Sequence, residues 1–367
     1  MRLAYVSSGL GPHDLRFLSL FLSAGFEPVF VSTRDAVAAG DVPPGVRHIA
    51  ADAVPLDEIL RHAAVDAVVA GPVPTNGLLA ARAGVRPLFL LSWGFDLLRD
   101  VRIDAAAAQA ACEALRAADA LVCDCDAVRD AALALGGIAA DRCIGLPWGL
   151  EASLRDWAGR PAPFRAQPGW QDGFIVLCVR AWESIYRPDT VLDGFARAHA
   201  ANPDLRLVLA GDGAMAPQLR ARIQSLGLAR AVHCPGRLSR HALMAAYAAA
   251  DAYVSASEVD GTSVSLLEAM ASRRAVVVSD IPGNREWVEP GRNGLLFPVG
   301  DAALLAQALL DVAALPDAVR SGWGEQGRAQ VLLRADWERN AAAFTELLRR
   351  AAGGTRAGTG RTISPRS

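Results

Sequence analysis

Short apolar runs recur along this chain with a helix-length segment between each and the next, and the series is laid down twice. In the first half the runs fall at 3–7, 27–32, 46–50, 66–70, 87–92 and 120–125. In the second half they fall at 174–179, 205–210, 231–234, 252–255 and 275–279. Runs that are apolar at nearly every position, rather than at alternate ones, predict strands buried on both faces of a parallel sheet. The segments between them, among them 13–24, 189–200, 217–226 and 239–249, carry helical spacing and serve as crossovers. Gly159, Pro161, Pro163, Pro168, Gly169 and Gly173 mark a stretch of different composition between the two series. The expectation is an α/β chain of two doubly wound domains facing across a cleft. Its parts are a first domain at 1–160, a linker at 161–173 and a second domain at 174–335. A helix at 336–352, placed to pack back on the first domain, and a disordered polar tail at 353–367 complete it.

Composition narrows the function. At 367 residues the chain exceeds one ordinary core. A net charge of −2 gives no reason to expect nucleic acid. There is no lysine, so all 37 fixed cations are arginines. The six cysteines lie in apolar segments and read as reduced thiols rather than a disulfide framework. They lack the Cys-x2-Cys spacing of zinc sites, and no structural metal is expected. Asp124-Cys-Asp126 is read as the start of a helix rather than a metal site. No apolar run reaches membrane-spanning length, and His13, Asp14 and Arg16 interrupt any signal-peptide core. The reading is a cytoplasmic protein.

The chemistry gathers at strand ends of the second series, where open parallel sheets bind ligands. Arg180 follows the run at 174–179 directly, and Arg187 lies seven residues on. A guanidinium presents a planar fork of donors that matches paired phosphate oxygens. Gly211-Asp-Gly213 follows the next run and leaves room for close backbone approach. Asp260-Gly-Thr-Ser-Val-Ser-Leu-Leu-Glu268 then places one carboxylate in a loop and another two helical turns on. A carboxylate accepts two hydroxyl hydrogen bonds at once, which suits a vicinal diol. Small residues at a helix start aim backbone N–H groups at an anion. Together these favour a ligand with both anionic groups and hydroxyls, a nucleotide sugar.

At these residues the chain resembles the retaining GT-B glycosyltransferases of family 4, the "glycosyl transferases group 1". The likeness runs from Phe174 to about Val299 and more loosely over the first domain. It implies two Rossmann-like domains and no tightly bound cofactor. It also implies transfer of a sugar from a nucleoside diphosphate donor to a hydroxyl on a glycan, glycolipid or small metabolite. By the resemblance Glu268 binds the ribose, Asp260 lies by the donor sugar, and Arg180 meets the pyrophosphate. Gly211, Gly213, Gly261, Thr262, Ser263 and Glu286 complete the donor side, and polysaccharide biosynthesis is among the expected settings. Two departures stand out. The family's second cation is usually Lys, for which Arg187 is the nearest substitute, and Asp260 stands where Glu is usual.

The first domain is expected to supply the acceptor side. Gly9 lies in the glycine-bearing turn after the first strand, and His13 follows as a catalytic candidate or a packing residue. Trp93 is placed to stack on a sugar face and Asp96 to accept from its hydroxyls, the other reading being a packed Trp beside a capping Asp. Two rivals remain: another GT-B enzyme, such as a sugar-nucleotide epimerase, and a non-catalytic nucleotide-sugar-binding partner protein. The sugar, the base and the acceptor (soluble or lipid-linked, with or without peripheral membrane contact) are not legible, nor is the oligomeric state.

Overall fold

The computed structural model describes residues 1–52, 54–152, 157, 162–167 and 169–354. The expected tail lies outside them, apart from residues 353 and 354, which continue the last helix. The chain forms two compact units, Met1–Pro147 with the chain from Arg339 on, and Trp148–Glu338.

The first unit is built on seven parallel strands: β1 (Arg2–Ser7), β2 (Glu27–Ser32), β3 (Arg47–Ala50), β4 (Ala67–Ala70), β5 (Leu88–Leu91), β6 (Ala120–Cys123) and β7 (Cys143–Gly145). Their order is β3-β2-β1-β4-β5-β6-β7. Helix α1 (Pro12–Ser23) buries Phe17, Leu18 and Phe21 against the sheet, where Tyr5 and Phe30 meet them. The last helix, Trp337–Gly354, joins this core. Its Ala341, Phe344, Thr345 and Leu348 are buried at helical spacing, and Phe344 stands edge-on to Phe17 with ring centres 6.1 Å apart. Arg349 lies over the Phe26 ring and donates to the Ala24 carbonyl at 2.7 Å.

The second unit carries six parallel strands: β8 (Phe174–Cys178), β9 (Leu205–Leu209), β10 (Val232–His233), β11 (Ala252–Ser255), β12 (Ala275–Ser279) and β13 (Gly294–Phe297). Their order is β10-β9-β8-β11-β12-β13. The described part of the expected linker is docked on this unit. Phe164 and Trp170 are buried, and the Ala162 N–H donates to the Ala245 carbonyl at 2.9 Å. Two aromatic rings thus tie down a stretch whose prolines and glycines suggested a free connection. Pro161 and Pro168 lie outside the described residues.

Each sheet reverses its strand order once, between β1 and β4 in the first unit and between β8 and β11 in the second. At such a switch point the connections leave the sheet in opposite directions and open a crevice beyond the strand ends. Among the described residues, no single helix is long and apolar enough to cross a membrane.

Candidate active site

In the second unit the switch point holds charge. Arg180 leaves the end of β8, and its Nη2 donates to Asp260 Oδ2 at 2.8 Å. Its Nη1 donates to Ser263 Oγ at 2.7 Å and to Ser265 Oγ at 3.1 Å, and Tyr186 lies 4.0 Å beneath the guanidinium. The ion-pair side chains are only 11% and 16% exposed. Burial works against the Arg180 charge, but Asp260, together with Tyr186, Tyr253 and Cys178, more than offsets it and the guanidinium stays protonated. Its Nε is buried without an acceptor.

Asp260 reaches Arg180 because the loop after β11 turns back over the end of β8 and then enters the helix Val264–Ala271. Ser263 is the N-cap of that helix, yet its Oγ accepts from Arg180 and makes no capping bond. Further along, Glu268 is buried, and its Oε2 accepts from Tyr247 at 3.1 Å. Burial, reinforced by the Glu268 charge, pushes the Tyr247 hydroxyl up, so it remains a donor. Tyr253, pushed up to about 12 chiefly by burial, meets Ser265 Oγ at 2.8 Å. The loop is backed by the turn Pro282–Arg285. A Cβ on Gly283 would lie 2.3 Å from the Gly261 carbonyl oxygen, so only glycine allows that approach. Gly261, Thr262 and Ser263 are all buried. Glu286, half-buried at the end of the same turn, gives its carbonyl to Arg334 at 2.7 Å.

The other candidates of this unit lie differently from expectation. Gly211 and Gly213 face the Arg180 loop: a Cβ on Gly211 would lie 2.5 Å from the Arg180 carbonyl, and one on Gly213 2.6 Å from that of Trp182. The Ala214 N–H beside them donates to Glu183 at 2.9 Å. These glycines therefore press one loop on another. Arg187, at φ +47° ahead of the helix Pro188–Ala201, forks onto Asp189 at 3.2 and 3.4 Å. The Asp189 carboxylate holds it at the helix start, and among the described residues it makes no hydrogen bond to the Arg180–Asp260 pair. Ser265, Gly283, Tyr186 and Tyr247 were not singled out in the sequence. Of these only Gly283, in the Ile-Pro-Gly-Asn turn after a strand, carried a signal.

In the first unit the switch point is open. A cavity of about 560 Å³ lies beyond β1 and β4, walled by Ser7–Gly11, Asp14, Arg34, Asp35, Pro72, Thr75 and Trp93. Gly9 packs against Asp35, whose Cβ would lie 2.8 Å from a side chain there. His13 stacks on Trp93 with ring centres 5.6 Å apart and planes 28° from parallel. Asp14 accepts from the Tyr5 hydroxyl at 2.8 Å and from the Gly11 N–H at 2.7 Å, fixing the turn under the cavity. Asp96 does not reach the cavity. It is fully buried and accepts from Ser92 Oγ at 2.6 Å, Trp93 N–H at 3.0 Å and Val73 N–H at 2.9 Å. Burial pushes its carboxyl up despite those bonds. It holds the turn under Trp93, the capping role that the sequence left open beside sugar binding.

Comparison with known proteins places this arrangement. Residues 162–330 match the family described as "Glycosyl transferases group 1". The chain is 34% identical over 163 residues to the putative glycosyltransferase EpsD of Bacillus subtilis, covering 44% of this chain and 42% of that one. It is 25% identical over 239 residues to alpha-D-kanosaminyltransferase of Streptomyces kanamyceticus, covering 64% and 62%. The match thus spans less than half of the first of these relatives. Among solved structures, Anabaena Alr3699/HepE in complex with UDP and glucose superposes with a TM-score of 0.80 at 19% identity, over 95% of this chain and 99% of that one. Arg180, Asp260 and Glu268 fall inside the stretch that matches the glycosyl transferases group 1 family, and the GT-B fold is shared along nearly the whole chain.

Proposed function

We propose that this chain is a retaining glycosyltransferase that moves a sugar from a nucleoside diphosphate donor to a hydroxyl acceptor. The observation that carries the reading is the Arg180–Asp260–Ser263 cluster at the switch point of the second unit. A buried guanidinium with an unsatisfied Nε, beside an N-cap serine that leaves its helix end unclosed, suits an incoming diphosphate. As the glycosidic bond breaks, charge grows on that diphosphate. Arg180 and the N–H groups at the start of Val264–Ala271 stabilise it, a contribution of about 3–4 kcal/mol for one well-placed donor.

Asp260 neutralises Arg180 while no donor is bound and turns to a sugar hydroxyl when one is. Glu268 accepts from the ribose, with Tyr247 orienting its carboxylate. Among the described residues no carboxylate stands apart as a nucleophile; the acceptor oxygen bonds to the anomeric carbon on the face the diphosphate leaves, its proton passes to the departing phosphate oxygen, and the anomeric configuration is retained. The Trp93 cavity of the first unit takes the acceptor. Similarity to a protein solved with UDP-glucose and to GDP-mannose-dependent alpha-mannosyltransferase of Mycobacterium tuberculosis supports a uridine or guanosine donor.

Calorimetric titration with UDP-, GDP-, ADP- and dTDP-sugars tests the donor site. One base class binds, and Glu268→Ala weakens it at least about tenfold, the loss of a charged hydrogen bond. No binding to the folded protein would remove this reading. Interconversion of the donor sugar without an acceptor would make the chain an epimerase instead.

A further inference from the structure

The Trp93 cavity does not end at its polar wall. A second cavity of about 470 Å³ opens beside it in the same unit, and the two share Pro74, Thr75 and Asp100. Past that shared edge the lining is mostly apolar, with Ile103, Ala106, Ala107 and Ala110 and the single carboxylate of Asp104. The local chain makes this surface. A π-helical turn at Asp96–Asp100 and a helical turn at Val101–Ile103 carry the backbone outward. Asp104 then caps the helix Ala105–Ala117 through the Ala106 N–H at 2.8 Å. Ile103 is left 72% exposed, the most exposed large aliphatic among the described residues. One exposed isoleucine is ordinary. Here it stands at the edge of an apolar groove that runs into a cavity lined by hydroxyls and an indole.

The charges of the first cavity add a constraint. Asp14, Asp35, Asp41 and Asp100 line it against a single cation, Arg34, and that one is bound to Asp35 at 2.9 Å. An anionic head group would meet carboxylates there with no free guanidinium to offset them.

We propose that the acceptor is amphipathic: an uncharged or amine-bearing polyhydroxyl head in the Trp93 cavity, joined to an apolar aglycone or alkyl chain that lies along Ile103 and Ala107. This rests on the glycosyltransferase reading for what is done to the head, but the groove's occupancy is measurable without turnover.

The probes are methyl, hexyl and octyl glucoside and octyl phosphate, each titrated calorimetrically below its micelle concentration. In the wild type, affinity rises at least about tenfold from methyl to hexyl glucoside, since buried methylenes add severalfold each. Octyl phosphate binds more weakly than octyl glucoside. Ala107→Asp puts a carboxylate in the groove at a first-turn position that suits the helix dipole, so the fold is kept. That variant flattens the chain-length series and leaves methyl glucoside unchanged. Affinity independent of chain length, the same gain in the variant, no binding by any glucoside, or preference for the phosphate would overturn the proposal. UDP-sugar titration of the same variant separates the two readings. Donor binding without the chain-length series sinks only the amphipathic acceptor, and the series without donor binding sinks only the transferase.

Discussion

The two switch points use one topology for opposite purposes. In the second unit the crevice is filled by the chain's own polar groups: Arg180, Asp260, Ser263 and Ser265 bond to one another where a ligand would enter, while the Arg180 Nε stays without an acceptor. In the first unit Asp96 is turned inward to hold a loop, and what remains is an open cavity walled by Asp14, Asp35 and Trp93, with His13 stacked on the indole. A parallel sheet therefore fixes where a ligand can go but not how it is held. One crevice is closed by an internal ion pair, and the other is left open with carboxylates on its wall.

The comparison breaks most sharply at Arg180. Arg180→Met leaves Asp260 buried without its partner, which costs about 3–5 kcal/mol, and nucleotide-sugar binding disappears. Adding Asp260→Leu recovers most of the stability in urea unfolding but none of the binding. Recovery of both would mean that the pair is architectural. The counterpart in the first unit is Asp96→Ala, which strips three buried donors of their acceptor. At the low end of about 1–3 kcal/mol for each, the loss is about 3 kcal/mol, and acceptor binding suffers with it while donor titrations stay unchanged.

A smaller effect depends on pH. Burial pushes the Cys178 thiol up to about 11 from an ordinary 9.0. The folded state disfavours the thiolate, so stability present below pH 9 is lost as pH rises through 11, by about 2–3 kcal/mol. Urea midpoints of wild type and Cys178→Ala across pH 8–11 read this directly, because the variant lacks that part of the slope. Smallest is Gly283→Ala. Its methyl must displace the Gly261 carbonyl, costing about 1–2 kcal/mol and weakening donor affinity more than first-unit probes.

What the sequence disclosed follows from the same contrast. Buried parallel strands are apolar throughout, so nearly every one was visible as a run, and residues at their ends, such as Arg180, could be placed by topology alone. Asp260 and Glu268 were legible because their spacing crosses a loop and a helix of known pitch. Partners were not legible. Nothing in the helix 240–249 signals that Tyr247 faces Glu268, and nothing in the sequence signals that Asp189 pairs with Arg187. Asp96 and Trp93 sit three residues apart, yet one is buried under the turn and the other lines the cavity. Short strands also escaped: Cys143–Gly145 is too brief to form a run, and Gly294–Phe297 holds only three apolar residues.

The last helix has a consequence for how the chain comes off the ribosome. Phe344 and Leu348 complete the core around Phe17 and Phe21, although the whole second unit is made in between. During N-to-C synthesis the earliest strands must wait with an apolar face uncovered while a later unit is translated. The first unit to be made is thus the second to be finished.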